Sequence, residues 1–231
     1  MININSLEAI LWIVVKLAII IVAIMLHEIA HGYAAYRLGD PTAKNAGRLT
    51  LNPIKHLDPF GSVLLPLVMA FANGPIFAYA KPVPYNPAYF KDLRKGELIV
   101  AFAGPASNFM QALIGAGICW CCMLVPVSAL IGNDVALNIV SFIYAFGTYV
   151  CYINLWLFFF NIIPLPPLDG ASIVAVFLDE KGLNVFYTIK QYSMFILLLL
   201  LIVVPMVTPW DPIGWYFSHT ATLLAHLMLP S

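Results

Sequence analysis

The sequence predicts an all-α polytopic membrane protein with about 4–6 transmembrane helices, a small membrane-associated β element and a re-entrant segment. Three observations carry that expectation. First, the 231-residue chain is 62% hydrophobic and 10% charged, with a mean hydropathy of +0.91; soluble domains run nearer to about 45–50% apolar and about 25% charged. Second, Leu98–Asn133, Val135–Leu168 and Gln191–Trp210 hold no charged residue, and each is long enough for a span of about 20 residues. Third, the basic residues segregate along the chain in a way that fixes a topology. Net charge is zero, with 11 Lys and Arg against 11 Asp and Glu. That balance excludes a nucleic-acid partner chosen by electrostatics, while the apolar composition makes the lipid bilayer the expected surrounding medium.

The first helix is expected over Glu8–Leu38, an apolar run carrying Lys16, Glu28 and two histidines. Lys16 is expected to snorkel outward. In the following loop, Ala46–Leu51 reads as a short strand ended by Asn52-Pro53. Phe60–Ala80 is apolar but interrupted by Pro66, Asn73, Gly74 and Pro75. If it spans, four basic residues (Arg37, Lys44, Arg48, Lys55) face six (Lys81, Lys91, Arg94, Lys95, Lys181, Lys190) across the membrane. If it dips in and returns, these ten of the 11 lie on one side. The second arrangement satisfies the positive-inside rule, so the segment reads as re-entrant and the basic side as cytoplasmic. The N-terminus then faces out, as do Asp134, Asp211, His219 and His226. Ala78–Tyr85 reads as a second extended piece, confined to an edge by its prolines.

The two central uncharged runs each supply a spanning helix, and Gly115 and Gly117 read as close helix contacts. Gln191–Trp210 is a further span. The tail after Asp211, with Trp215, Tyr216 and Phe217 near its start, suits an interfacial or short final helix. Cys119, Cys121, Cys122 and Cys151 lie in apolar runs and read as small core residues, not as a disulfide framework. The whole is expected to be one integral-membrane domain over 1–231, with its core at 8–170 and C-terminal helices over 171–231.

The chemistry concentrates in the first helix, at His27-Glu28-Ile29-Ala30-His31. Residues i and i+4 of a helix share a face, so both imidazoles address one point, the spacing that holds a single Zn²⁺. Glu28 sits about 100° round the helix, within reach of a water beside the ion, as a general base. An acid and two histidines follow ten uncharged residues, Leu17–Leu26. Against lipid such groups are costly, so they face a cavity or partners. The longer pattern with a third histidine is absent, because Ala34 and Arg37 occupy its later positions. A third ligand must come from elsewhere. Among the acids Asp169 stands out: it follows 34 uncharged residues and sits behind three prolines in Asn161-Ile-Ile-Pro-Leu-Pro-Pro-Leu-Asp-Gly170. It reads either as a metal ligand or as the N-cap of the next helix, and one residue can do both.

These stretches resemble the site-2 protease family of intramembrane zinc metalloproteases. HEIAH at 27–31 and NIIPLPPLDG at 161–170 carry the resemblance, with GRLTLNPIKHLDP at 47–59, KPVP at 81–84 and AGPASN at 103–108. The match is to the compact members without a PDZ domain and covers about Leu26–Gly170. It implies one Zn²⁺ per chain held by His27, His31 and Asp169, with Glu28 as base. It also implies hydrolysis of a peptide bond in or near a transmembrane segment of a substrate protein, the reaction of regulated intramembrane proteolysis. Asn108 is similar to the asparagine that this family carries near its catalytic centre, and its amide is a candidate for oxyanion stabilisation. A bacterial cytoplasmic membrane and a regulatory membrane partner are expected with it. Independently of the resemblance, helix rise puts His27 about 25 Å from Ile10 and Asn108 about 16 Å along its helix, and Asp169 follows the cytoplasmic end of its own, so the site is expected in the cytoplasmic half. Two other classes compete: a metal-ion transporter or channel, and an inactive membrane scaffold. Sparse polar groups in the outer half of the helices disfavour the first, and an intact Glu28 disfavours the second.

Overall fold

A computed structural model describes residues 7–56, 58 and 81–230. The re-entrant segment expected at 60–80 lies outside the described residues. Three long helices dominate: α1 (Leu7–Arg37), α3 (Leu93–Met123) and α4 (Asp134–Ile162), with a short α2 (Thr42–Asn45) between the first two. All three are long and apolar enough to cross a membrane. Beyond them lie α5 (Asp169–Ala175) and the pair α6 (Glu180–Lys190) and α7 (Ser193–Val207), which meet at 62°. A last helical run, α8, covers 212–228. Among the described residues that makes three such helices, with the bent pair a fourth only if it is a single span and not a re-entrant turn.

The acids and amides that punctuate the sequence start these helices. Asp92 accepts from the Lys95 N–H at 3.1 Å, Asn133 from Ala136 at 3.0 Å, Asp179 from Gly182 at 2.8 Å and Asp211 from Gly214 at 2.8 Å. Each thereby satisfies one of the donors that a helix N-terminus leaves unpaired.

α3 packs against both α1 and α4. The α3–α4 seam is set by glycine. A Cβ at Gly115 would fall 2.5 Å from the Cys151 nitrogen, and one at Gly147 would fall 2.8 Å from the Gly115 carbonyl oxygen. Such close backbone approach is what small residues allow between helices in lipid, where burial of apolar area gives no net drive. Gly117 meets nothing within 4 Å, so only the first of the two expected glycine contacts lies at this seam. Cys119 and Cys151 are buried there as free thiols.

Two expectations are corrected. Among the described residues there is no strand: Ala46–Leu51 is a series of turns and bends. Gly47, at φ +64°, turns the chain, and the Arg48 N–H returns to the Ala43 carbonyl at 3.0 Å. The backbone groups a strand would offer are thus spent on α2. Residues 81–86 run without helix or ladder, as Pro82 and Pro84 remove two donors. The second correction concerns the end of the bundle at which the tail, a short final helix as expected, begins. The Tyr216 hydroxyl donates to the Phe159 carbonyl at 3.1 Å, and Phe217 stacks on Trp156 at 4.5 Å. At the other end, Trp120 Nε1 donates to the Met228 carbonyl at 2.8 Å and Tyr144 to that of Pro230 at 3.1 Å. α8 therefore runs antiparallel to α4, starting at the α4 end that leads to Asp169. Asp211 lies at that end, not across the bundle from it. Phe217, Ala221 and Ala225 join Ala112, Ala116, Cys151 and Leu155 in the core, burial that the charge pattern alone did not reveal.

Candidate metal centre

His27 and His31 stand one turn apart on α1, and α5 brings Asp169 to them. The Nε2 atoms of the two imidazoles are 3.0 Å apart. Asp169 places Oδ2 3.1 Å from His27 Nε2 and Oδ1 3.3 Å from His31 Nε2. Among the described residues these three are the group of His, Cys, Asp and Glu side chains whose ligand atoms converge. Asp169 begins α5, and the N-cap position belongs to Leu168, without a side-chain capping bond. Gly170 makes the close turn possible, because a Cβ there would strike the Ile162 carbonyl oxygen at 2.1 Å.

The protonation of both imidazoles follows from their outer nitrogens. His31 Nδ1 lies 2.7 Å from the Val100 carbonyl, an acceptor only, so Nδ1 carries the proton and Nε2 a lone pair. His27 needs a longer chain. Asn154 Nδ2 donates to the Val150 carbonyl at 3.0 Å, which fixes that amide's orientation. Its Oδ1 then accepts from Asn108 Nδ2 at 3.0 Å, so Asn108 turns Oδ1 toward His27 Nδ1 at 2.6 Å. The proton again sits on Nδ1. In neutral rings both inward nitrogens then present lone pairs toward each other and toward Asp169. Asp169 Oδ2 is buried and has no hydrogen-bond donor among the described residues.

Two lone pairs and a carboxylate aimed at one point repel each other until a cation joins them. Space is kept for it on the α3 side: a Cβ at Gly104 would lie 2.3 Å from His31 Nε2 and 2.6 Å from His27 Nε2. Nitrogen and oxygen donors with one side left open suit a catalytic zinc, which takes three protein ligands. Pro105, inside α3, supplies no N–H to the Ala101 carbonyl and opens that turn of the helix. There the adjacent Val100 carbonyl is reached by His31.

Glu28 is half-buried beside the cluster and accepts the Val83 N–H on Oε2 at 2.8 Å. Asn108 is fully buried, with both amide atoms engaged. His56, the remaining histidine of the first loop, is buried with Nε2 2.9 Å from the Thr50 carbonyl, as a loop contact. Sequence reasoning missed the role of Gly104 and the order Asn154–Asn108–His27. The Gly104-Pro105 pair, four residues ahead of Asn108, was the available signal. Val83 left none beyond lying between two prolines.

A His–His–Asp donor set sunk into a helical membrane bundle, with a carboxylate next to its first ligand, defines the class of membrane metallohydrolases. The chain belongs to peptidase family M50, whose profile matches residues 15–204. It is 40% identical over 187 residues to "Putative zinc metalloprotease YwhC" of Bacillus subtilis, covering 81% of this chain and 79% of that protein. It is 24% identical over 205 residues to Rip2 of Mycolicibacterium smegmatis, which carries the same designation, with 87% and 71% covered. No solved structure matches the chain significantly.

Proposed function

We propose that the protein is an intramembrane zinc endopeptidase that cuts a peptide bond in or near a transmembrane segment of a membrane-protein substrate. The observation that carries this reading is the convergence of two imidazole Nε2 atoms and the Asp169 carboxylate on one point, with Glu28 alongside. His27, His31 and Asp169 hold one Zn²⁺ per chain, within a catalytic core at 8–170. When bound, the ion supplies Lewis-acid chemistry, acidifying water and polarising a carbonyl. Glu28 takes the proton from the attacking water and delivers it to the leaving amine nitrogen, so one carboxylate serves as base and then as acid. The Asn108 amide acts through His27: it holds the ring and its tautomer, the role such outer partners play at zinc sites. The substrate must unwind at the cut, because a helix keeps its carbonyls in internal hydrogen bonds. By the charge distribution the site faces the cytoplasmic half of a bacterial cytoplasmic membrane.

The test uses purified protein, a transmembrane substrate and Glu28→Gln. We expect zinc content to stay at about one per chain while cleavage falls about 10²–10⁴-fold, the usual worth of a positioned base. Undiminished cleavage by Glu28→Gln would remove Glu28 from the mechanism.

A further inference from the structure

Residues 81–86 cross the face of Glu28 and are pinned at both ends. At the start, the Lys81 carbonyl accepts from Arg48 Nη2 at 2.5 Å, and the Lys81 N–H donates to the His56 carbonyl at 3.0 Å. At the far end, the Asn86 N–H donates to Asp40 Oδ2 at 2.6 Å. Both anchors are themselves fixed, since Arg48, His56 and Asp40 are all buried. Between the anchors, the Val83 N–H reaches Glu28 Oε2 at 2.8 Å. The Val83 side chain is buried against α1 one turn beyond Glu28, where a Cβ on Gly32 would meet its Cγ1 at 2.6 Å.

The sequence of this strap explains why one amide is presented alone. Pro82 and Pro84 have no N–H, so Val83 carries the single backbone donor of the three residues. Lys81 and Val83 each precede a proline, which biases both toward extended backbone. The prolines also reduce the disorder that anchoring must overcome. A carboxylate on a helix has three rotatable bonds and two equivalent oxygens. A donor fixed at both flanks takes one oxygen and leaves the other, Oε1, for proton chemistry.

We propose that Val83 is a positioning residue whose amide N–H orients the Glu28 carboxylate for catalysis, through the Pro-Val-Pro strap anchored on Arg48 and Asp40. This rests on the reading of Glu28 as the base. Its consequence is that the base is set by the loop that leads out of residues 59–80, not by α1 alone.

The experiment uses the full chain, zinc-loaded, on a transmembrane substrate. Val83→Pro deletes the donor and keeps an extended residue, while Val83→Ala trims the side chain and keeps the donor. We expect Val83→Pro to lower kcat about 10- to 100-fold, with KM and zinc content near wild type, and Val83→Ala to retain a kcat at least about tenfold above it. If Val83→Pro does not fold, an amide-to-ester replacement at position 83 removes the same hydrogen and is expected to give the same loss. Wild-type kcat without the N–H would overturn the proposal. So would equal losses in the Pro and Ala variants, a change in KM alone, or loss of zinc along with rate. Glu28→Gln is run in parallel: if it cleaves like wild type, the reading of Glu28 fails first, and that result is distinct from a failure of Val83.

Discussion

At the residue scale, the centre depends on which nitrogen of each imidazole holds its proton, and neutral groups decide that. For His31 the device is a backbone carbonyl at 2.7 Å; for His27 it is two asparagines in series, both buried. Asn108→Leu and Asn154→Leu should each weaken zinc binding about 10- to 100-fold, read by competition with a chelating dye. Asn108→Leu, which touches the ligand, should have the larger effect; equal wild-type affinity in both would show that the chain of amides does not tune His27. Gly104→Ala should lose the metal outright, because its methyl would occupy the space in front of both Nε2 atoms. The three converging side chains were legible, since ionisable residues inside apolar runs are costly unless they serve a site. Gly104 was not, because a residue that acts by having no side chain leaves no chemical signature of its own.

At the element scale, the strap and the loop after α1 are held by Asp40, which accepts from the Thr42 hydroxyl and from the N–H groups of Thr42 and Asn86. Burial pushes its carboxyl up, but the Thr42 and Asn86 hydrogen bonds outweigh burial and hold it below the ordinary carboxylate value. The sign follows from linkage. A carboxyl with a lowered folded pKa contributes stability that is complete above its unfolded value of about 3.9, and loses it as pH falls through the folded value. Asp40→Asn should therefore lower stability at pH 7 by about 1–3 kcal/mol and lessen the loss below about pH 4, as followed by thermal unfolding in detergent. An unchanged acid limb would count against the Asp40 anchor. The long helices were legible from their uncharged runs, whereas the capping bonds of Asp92, Asn133, Asp179 and Asp211 came only with the structure. The strand expected at Ala46–Leu51 was not formed, because alternation in the sequence says nothing about whether a partner strand is at hand. Here Gly47 and α2 take up the backbone groups first. At the α3–α4 seam, Gly147→Leu should force the helices apart, lowering thermal stability and, through Asn108 and Asn154, zinc affinity together.

At the scale of the whole molecule, the bundle brings polar groups from α1, α3, α4 and α5 to one level while the rest of its length stays apolar. Exposed Ile10, Leu17, Met110, Ile114 and Ile139 cover that length, as lipid requires. This arrangement was readable from the depth of His27, Asn108 and Asp169 along their helices, independently of any contact. The placement of α8 was not. Charge counts fix loops near spans, and the tail carries no Lys or Arg to count. Its position is set by Trp156, Phe217 and the Ala221–Ala225 face, pairings that a single sequence does not display.

The proposed centre joins two distant parts of the chain through one ion. The most direct measurement is the zinc content of purified wild-type protein and of Asp169→Ala, after equal dialysis against a weak chelator. About one zinc per chain in the wild type and almost none in Asp169→Ala is the result expected of a centre that joins α1 to α5. Full retention of zinc without the Asp169 carboxylate would contradict it.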